Sequence, residues 1–478
     1  MAMNQFDSEF AQYQERRILF WRDQPHHSKE GFSRYYFNCL VRIYRYLIPE
    51  GTRVLELGCG EGGLLNALRP SFGVGLDFSS PALAKARSRF GHLQWIQGDA
   101  HEPLPNIGYF DYIILSDLVN DAWDVQRILE TIKPVCHPQT RIIFNFYSHL
   151  WNMPLALAKK MGVTTPSLPQ NWLTPHDLRN LLEITGFETL RSWQEILLPA
   201  RVPILSTFAN RYLAKLWPFA HLDLTNFLIA RPLLLPTIAK PSVSVVIAAR
   251  NEAGHIFQLI ERIPQMGSQT EIIFVEGNSS DDTYEEIERA IKNHPELDIH
   301  LYKQSGKGKG DAVRLGFEKA NGDILMILDA DITVPPEDLP RFFSLMANGT
   351  AEFVNGVRLV YPMEDKAMRF FNLLGNKFFS WVFSWLLGQP IRDTLCGTKV
   401  LWKSDYLRIA AGRSYFGDFD PFGDFDLLFG AAKLNLKIIE VPIRYRARIY
   451  GETNISRWRH GLLLLRMVLF AARRIKFN

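Results

Sequence analysis

Two α/β domains in series, each built on a largely parallel sheet, are what this 478-residue chain predicts. Three observations predict it. The length exceeds what one ordinary core organises. Short β-branched runs alternate with longer helical stretches in both halves. Pro232, Pro236 and Pro241 punctuate the chain just before a fresh strand opens at Val243. The expected divisions are a first domain over 1–235, a linker over 236–241 and a second domain over 242–478.

The strands of the first half are expected at 53–57, 73–76, 93–97, 112–115 and 141–146, and those of the second at 243–248, 271–275, 299–302 and 324–328. Hydrophobic residues make up 47% and charged residues 22%, the balance of a packed globular protein rather than a disordered one. Cys39, Cys59, Cys136 and Cys396 are scattered without C-x-x-C spacing, which argues against a zinc site or a disulfide framework and fits a reducing compartment. The start of the chain is too polar for a secretory signal. A net charge of +4 is too small to imply nucleic acid. No run reaches the ~20 apolar residues that span a bilayer. Residues 196–220, 370–387 and 461–472 are rich in Leu and aromatic side chains, and the last run is flanked by Arg457, Arg459, Arg473, Arg474 and Lys476. Such segments suit a membrane interface, or equally a core helix with a solvated end.

In the first half, Val54-Leu55-Glu56-Leu57-Gly58-Cys59-Gly60-Glu61-Gly62-Gly63 reads as a buried strand breaking into a glycine turn. Glycines let a backbone approach a ligand where a Cβ would collide. Gly58, Gly60 and Gly63 also satisfy a dinucleotide fingerprint, so the turn needs context. Asp77 closes the second strand, where a carboxylate can accept both ribose hydroxyls, and Asp99 follows the third, although a helix cap is its plainer role. Glu56 inside an apolar strand requires a partner. Ligands of parallel sheets bind at the strands' carboxyl ends, so these acids converge on one crevice.

Together these residues resemble the class I S-adenosylmethionine-dependent methyltransferases, over roughly 35–187. The resemblance implies a Rossmann-like fold in which Glu56 and the Gly58–Gly60–Gly62 turn face the methionine end of the cofactor. It further implies that Asp77 holds the ribose and Asp99 with Ala100 the adenine. The acceptor is not legible. His26, His27, Tyr35 and Tyr36 lie upstream, and Ser116-Asp117-Leu118-Val119-Asn120 follows the fourth strand where these enzymes vary.

In the second half, Asp329-Ala330-Asp331 closes an apolar strand. Two carboxylates two residues apart at a strand end suit a hard divalent cation bridging the phosphates of a nucleotide-sugar, though the same triplet also makes ordinary turns. The surroundings add a strand breaking at Ala248-Ala249-Arg250-Asn251-Glu252, a second ending at Glu276, and a cationic glycine loop, Gly306-Lys307-Gly308-Lys309-Gly310, ahead of Asp311. That loop is not a phosphate-binding Walker loop.

This order resembles glycosyltransferase family 2, inverting enzymes of the GT-A fold, over roughly 242–450, with the dolichyl- and polyprenyl-phosphate mannosyl- and glucosyltransferases as nearest relatives. The resemblance implies that Ala248, Arg250, Glu252, Glu276, Lys309, Asp311 and Asp329 contact the nucleotide-sugar, and that Asp329 and Asp331 hold Mg²⁺ or Mn²⁺. Glu276 stands where many members carry an aspartate. Asp393-Thr394-Leu395-Cys396-Gly397-Thr398-Lys399 resembles the acceptor loop, with Lys399 near phosphate oxygens. Arg444, Arg446 and Arg448 lead into Tyr450-Gly451-Glu452-Thr453, a variant of the polyprenyl-phosphate enzymes' signature, and an edge strand of alternating solvated charges is their other reading.

A lipid phosphate acceptor is already anionic and needs no base, whereas a sugar hydroxyl would need one, for which Asp424 and Asp426 are the candidates. The expectation is therefore a bifunctional transferase, peripheral on the cytoplasmic face of a membrane through 370–387 and 461–472. The alternatives are a soluble enzyme modifying a glycan or metabolite, and a chain in which one nucleotide fold is vestigial.

Overall fold

The computed structural model describes residues 2–23, 32–161, 168–358, 360–361, 370–415, 425–446 and 457–477. His26, His27, Asp424, Arg448 and the Tyr450–Thr453 signature lie outside them. The chain forms two compact units, the first Met1–Leu234 together with Phe477–Asn478 and the second Leu235–Lys476.

The first unit is a seven-stranded sheet made of β1 (Arg53–Leu57), β2 (Phe72–Asp77), β3 (Gln94–Gln97), β4 (Phe110–Ser116), β5 (Cys136–Tyr147), β6 (Phe187–Glu195) and β7 (Thr225–Pro232), in the order β3-β2-β1-β4-β5-β7-β6. The first five strands run parallel, and β7 is antiparallel to both its neighbours. Alternate residues feed opposite cores. Leu55, Ile113 and Phe144 pack on one face, and Val54, Ile114 and Ile143 on the other. A parallel strand covered on both faces reads as an unbroken apolar run, which is why β1, β2, β4 and the second half of β5 are visible in the sequence; β3, Gln94–Gln97, is a partly exposed edge strand without such a run.

The second unit is also seven-stranded: β8 (Val243–Ala249), β9 (Thr270–Glu276), β10 (Asp298–Lys303), β11 (Ile324–Asp329), β12 (Phe353–Val357), β13 (Lys399–Trp402) and β14 (Ile438–Pro442), in the order β10-β9-β8-β11-β13-β12-β14. Only β13 runs against its neighbours. The helix Phe370–Leu387 buries Phe379, Val382, Phe383, Leu386 and Leu387, and the helix Arg457–Ala471 buries Leu464, Met467 and Ala471, in the same core as Val246, Leu325 and Ile327. Both helices therefore spend one apolar face on the fold itself. Among the described residues no helix is long and apolar enough to cross a membrane.

Candidate active sites

The carboxyl ends of β1, β2 and β3 gather the acids of the first unit. Glu56, buried near the end of β1, accepts the backbone N–H of Leu65 through Oε2 at 3.1 Å. It thereby ties the strand to the helix Gly63–Ala67 across the glycine turn. Gly62 has φ +74°, and a Cβ there would lie 2.1 Å from the Trp95 ring, so only glycine fits. Asp77 stiffens the turn from the other side. Its Oδ2 accepts from Gly60 N at 2.7 Å and its Oδ1 from Ser79 N at 2.8 Å.

Asp99 is more heavily engaged than its sequence position suggests. Oδ1 accepts from His101 N at 2.9 Å and lies 2.5 Å from His101 Nδ1, while Oδ2 accepts from Gln14 Nε2 at 2.7 Å. Burial works to raise its pKa, but the hydrogen bonds from His101 and Gln14 outweigh it and hold the carboxyl down at about 2. Gln14 belongs to the N-terminal helix Ala2–Asp23, whose Phe10 and Tyr13 meet His101 edge-on at centroid distances of 5.4 and 6.3 Å. Arg17 of the same helix pairs with Asp121 at 2.8 Å. The helix thus roofs the Asp99 end of the crevice. Ala100 is buried, and its carbonyl accepts from Thr131 Oγ1 at 3.0 Å.

One partnership escaped the sequence. Asp117, just past β4, is a non-glycine residue at φ +56°, a conformation that costs on the order of 1 kcal/mol. Its Oδ1 accepts from Tyr36 OH at 3.0 Å and from Asn145 Nδ2 at 2.6 Å. Asn145 is braced in turn by Tyr44 OH at 2.7 Å, and Thr225 Oγ1 lies 3.3 Å from Tyr36 OH. Burial, then the Asp117 charge, push the Tyr36 hydroxyl well above the ordinary tyrosine range. Tyr36 and Asp117 lie 81 residues apart, so only the folded sheet reveals the pair.

In the second unit, strand register assembles the site. Asp329 stands beside Ala248, and Ala249 beside Glu276. Glu276 is buried and accepts Ser279 N at 2.5 Å. Glu252 is buried, accepts or shares a proton with His255 Nδ1 at 3.0 Å, and has its own N–H bound by Thr283 Oγ1 at 2.9 Å. Arg250 is exposed. Asp311 accepts Gly306 N at 3.2 Å and so closes the cationic loop on itself.

Lys309 donates from Nζ to Asp329 Oδ1 at 2.5 Å. Burial would raise the Asp329 pKa, but Lys309, Arg358 and Lys399 together hold the carboxyl below its usual range. Asp331 is oriented by Thr333, whose Oγ1 donates to Oδ1 at 2.7 Å. Gly397 presses against this group, since a Cβ there would lie 2.2 Å from Asp329 Oδ2 and 2.4 Å from Lys309 Nζ.

Lys399 is fully buried, and its Nζ donates to the Cys396 carbonyl at 2.5 Å, bracing the loop from within. Arg358 grips Asp393 with Nε at 2.7 Å and Nη2 at 2.8 Å. This bidentate pair fixes the loop's first residue and was not anticipated, because its partners are 35 residues apart. Asp426 is buried on the helix Phe425–Lys433, 3.3 Å from Arg314 Nη2 and 3.2 Å from Arg413 Nε, and burial raises its pKa. Arg444 and Arg446 are exposed, and Arg446 N donates to Thr333 O at 3.1 Å, which runs this segment beside the Asp331 loop. Among the described residues, the one cluster with close ion-ligand spacing is Glu271, Asp298 and His300, at the opposite end of β9 and β10.

Residues 244–397 match the model described as Glycosyl transferase family 2, and residues 40–229 that described as Methionine biosynthesis protein MetW. The dolichol-phosphate mannosyltransferase of Pyrococcus furiosus is 29% identical over 219 residues, which are 45% of this chain and 59% of that protein. The undecaprenyl-phosphate 4-deoxy-4-formamido-L-arabinose transferase of Edwardsiella ictaluri is 25% identical over 227 residues, 47% of this chain and 64% of that protein. The chain thus spans about three-fifths of the length of these curated relatives. A solved S-adenosylmethionine dependent methyltransferase from Mesorhizobium loti is 19% identical and is covered to 95% by 40% of this chain, at a TM-score of 0.31, too low to bear on the reading.

Proposed function

We propose that this chain, which joins a MetW-like methyltransferase region to a glycosyltransferase family 2 domain, is a bifunctional transferase. The second unit would move a sugar from a nucleotide-sugar, with inversion, to a polyprenyl phosphate. The first would transfer a methyl group from S-adenosylmethionine. The observation that carries the reading is Asp329, an ionised carboxylate at the end of a central strand with an ammonium on one oxygen and Asp331 two residues on.

A divalent cation fits there. The donors are two hard carboxylates, and Lys309 already supplies a positive charge to Oδ1. Asp329 and Asp331 would hold Mg²⁺ or Mn²⁺, which supplies neutralising charge to the departing diphosphate. Lys399 and Arg358 keep Asp329 ionised from below. Ala248 and Glu276 stand at the adjoining strand ends and, with Arg250 and Glu252 just beyond β8, would meet the nucleotide, while Asp311 shapes the loop that carries Lys309. Lys309, once released from Asp329, reaches the diphosphate. The exposed Arg444 and Arg446 offer positive charge to an incoming phosphate. An acceptor phosphate is its own nucleophile, which agrees with Asp426 being committed to Arg314 and Arg413. A lipid acceptor lies in a membrane, so the enzyme would work as a peripheral protein at its cytoplasmic face.

A nucleoside cofactor fits the first unit. Gly60 has nothing within 4 Å on its Cβ side, leaving open space beside the Asp77 carboxylate. Asp77 would take the ribose hydroxyls, Asp99 and Ala100 the adenine, and Glu56 hold the Gly58–Gly62 turn against the methionine end. Asp117, bonded to Tyr36 and Asn145 just past β4, would stand towards the methyl acceptor.

Calorimetric titration of the full chain tests this. S-adenosylhomocysteine should bind one site and lose it in Asp77→Ala alone. A nucleotide-sugar with Mn²⁺ should bind a second site and lose it in Asp329→Ala alone. A chain that binds neither ligand, or one in which either substitution abolishes both, refutes the assignment.

A further inference from the structure

Two stretches of the first unit leave large apolar side chains in solvent. Residues 149–161 include the helix Asn152–Lys160, and residues 201–222 include the helix Leu205–Arg211 and the short turns Leu213–Lys215 and Phe219–Leu222. Met153 is 82% exposed, Ile204 87% and Trp217 82%, and Leu157, Phe208 and Leu222 are each at least half exposed. A solitary exposed Leu needs no account, but a concentration of this kind marks a binding surface.

The two stretches meet. Trp151 Nε1 donates to the Leu222 carbonyl at 2.9 Å, and Ser148 N donates to the Leu224 carbonyl at 2.7 Å. They leave and re-enter the sheet at one place, because Tyr147 at the end of β5 pairs with Thr225 at the start of β7. That is the carboxyl end of the parallel strands, where Glu56, Asp77 and Asp117 lie.

Charge indicates the partner. Neither stretch contains an aspartate or a glutamate, whereas Lys160, Arg201 and Arg211 are exposed within them; Lys215 is turned inward against Glu195. Apolar side chains interleaved with cations and no anion suit the interface of a bilayer carrying acidic headgroups. A protein partner of ordinary composition gives no reason for anions to be missing.

We infer that this surface docks the first unit on an anionic membrane and holds the mouth of its crevice against the lipid interface. The inference goes beyond the proposed glycosyl and methyl transfer, for which the lipid contacts expected were residues 370–387 and 461–472 of the second unit. The helices there spend much of their apolar surface on their own core.

The test is co-sedimentation of the full chain with phosphatidylcholine vesicles, with and without about 30% phosphatidylglycerol, an acidic lipid chosen to set a negative surface potential. The wild type should pellet with the acidic vesicles, and less so as salt is raised. The double substitution Met153→Gln with Trp217→Ser should weaken partitioning at least about tenfold, since both side chains would bury in the interface. A second pair, Ile204→Gln with Phe208→Ser, should do the same, so that misfolding of one variant does not decide the matter. Trp381→Ser, at an exposed position of the second unit, should partition as the wild type does.

The inference is overturned if the wild type ignores acidic vesicles or if both pairs bind them undiminished. It is also overturned if sedimentation velocity shows a wild-type dimer that the substitutions dissociate while vesicle binding persists, which would make the surface a contact between copies. Metal-dependent hydrolysis of a nucleotide-sugar in vesicle-free buffer reads the glycosyl site separately, so its loss would count against the proposed function and not against this surface.

Discussion

Lys309 rests its ammonium on Oδ1 of Asp329, 2.5 Å away, at the point where the diphosphate of a sugar donor would be neutralised. A side-chain cation and a metal ion compete for the same carboxylate oxygen. Lys309→Met should therefore tighten Mn²⁺ binding in the absence of donor by roughly tenfold, the scale of one charge-assisted hydrogen bond. It should also lower glycosyl transfer by about 10²-fold, because a positive charge on the leaving diphosphate is lost. Mn²⁺ titration by electron paramagnetic resonance, alongside turnover, checks both signs.

Gly397 stands against the same pair of charges. In Gly397→Ala the new methyl group would meet Asp329 Oδ2 at 2.2 Å, so carboxylate or loop must shift. A displacement of this size should cut turnover by about 10²-fold. The melting temperature should change little, since the residue sits in a loop beside the site. Steady-state kinetics with a thermal melt separates the two effects.

Gln14 occupies Oδ2 of Asp99 from the N-terminal helix. An adenine amino group reaching that oxygen has to share or displace the Gln14 amide. Gln14→Ala should tighten S-adenosylhomocysteine binding by about fivefold, the worth of one hydrogen bond of ~1 kcal/mol. Calorimetry on the full chain measures it, and weaker binding would mean that Gln14 is itself a cofactor contact.

Asp223 is fully buried, neither of its oxygens has a hydrogen-bond partner among the described residues, and burial raises its pKa to about 8, with Lys215 only partly opposing. In the unfolded chain an aspartate titrates near ~4. Between these values the unfolded state gives up the proton while the folded state keeps it. Stability from this group is therefore complete below pH ~4 and is lost as pH rises towards 8. Asp223→Asn, neutral throughout, should melt like the wild type near pH 4 and several degrees higher at pH 9. Thermal melts across that range test the sign.

The sequence shows strands where both faces are covered, as in Val54 to Leu57 or Ile324 to Leu328, because burial on two sides forbids polar residues. It hides β6, whose Glu188, Arg191 and Gln194 interrupt the apolar pattern, and β13, only four residues long and opened by a lysine; the expected strands also omit β7, β12 and β14, although β7 and β12 are buried throughout. The acids at strand ends were legible because a parallel sheet places them at one edge whatever the loops do. Their partners were not. Nothing local to Asp99 announces Gln14, 85 residues away, and nothing in Asp393 announces Arg358. Lys399 was expected near acceptor phosphate because residues 393–399 resemble the acceptor loop of the family, yet the fold buries its side chain, whose charge acts on Asp329.

The most direct measurement is mass analysis of products after the full chain is incubated with GDP- and UDP-hexoses, Mn²⁺, a short polyprenyl phosphate and S-adenosylmethionine. The account predicts a polyprenyl phosphate heavier by one hexose, formed by the wild type and absent with Asp329→Asn or with chelator. An intact polyprenyl phosphate with every donor, or hexose transfer undiminished in Asp329→Asn, would contradict it.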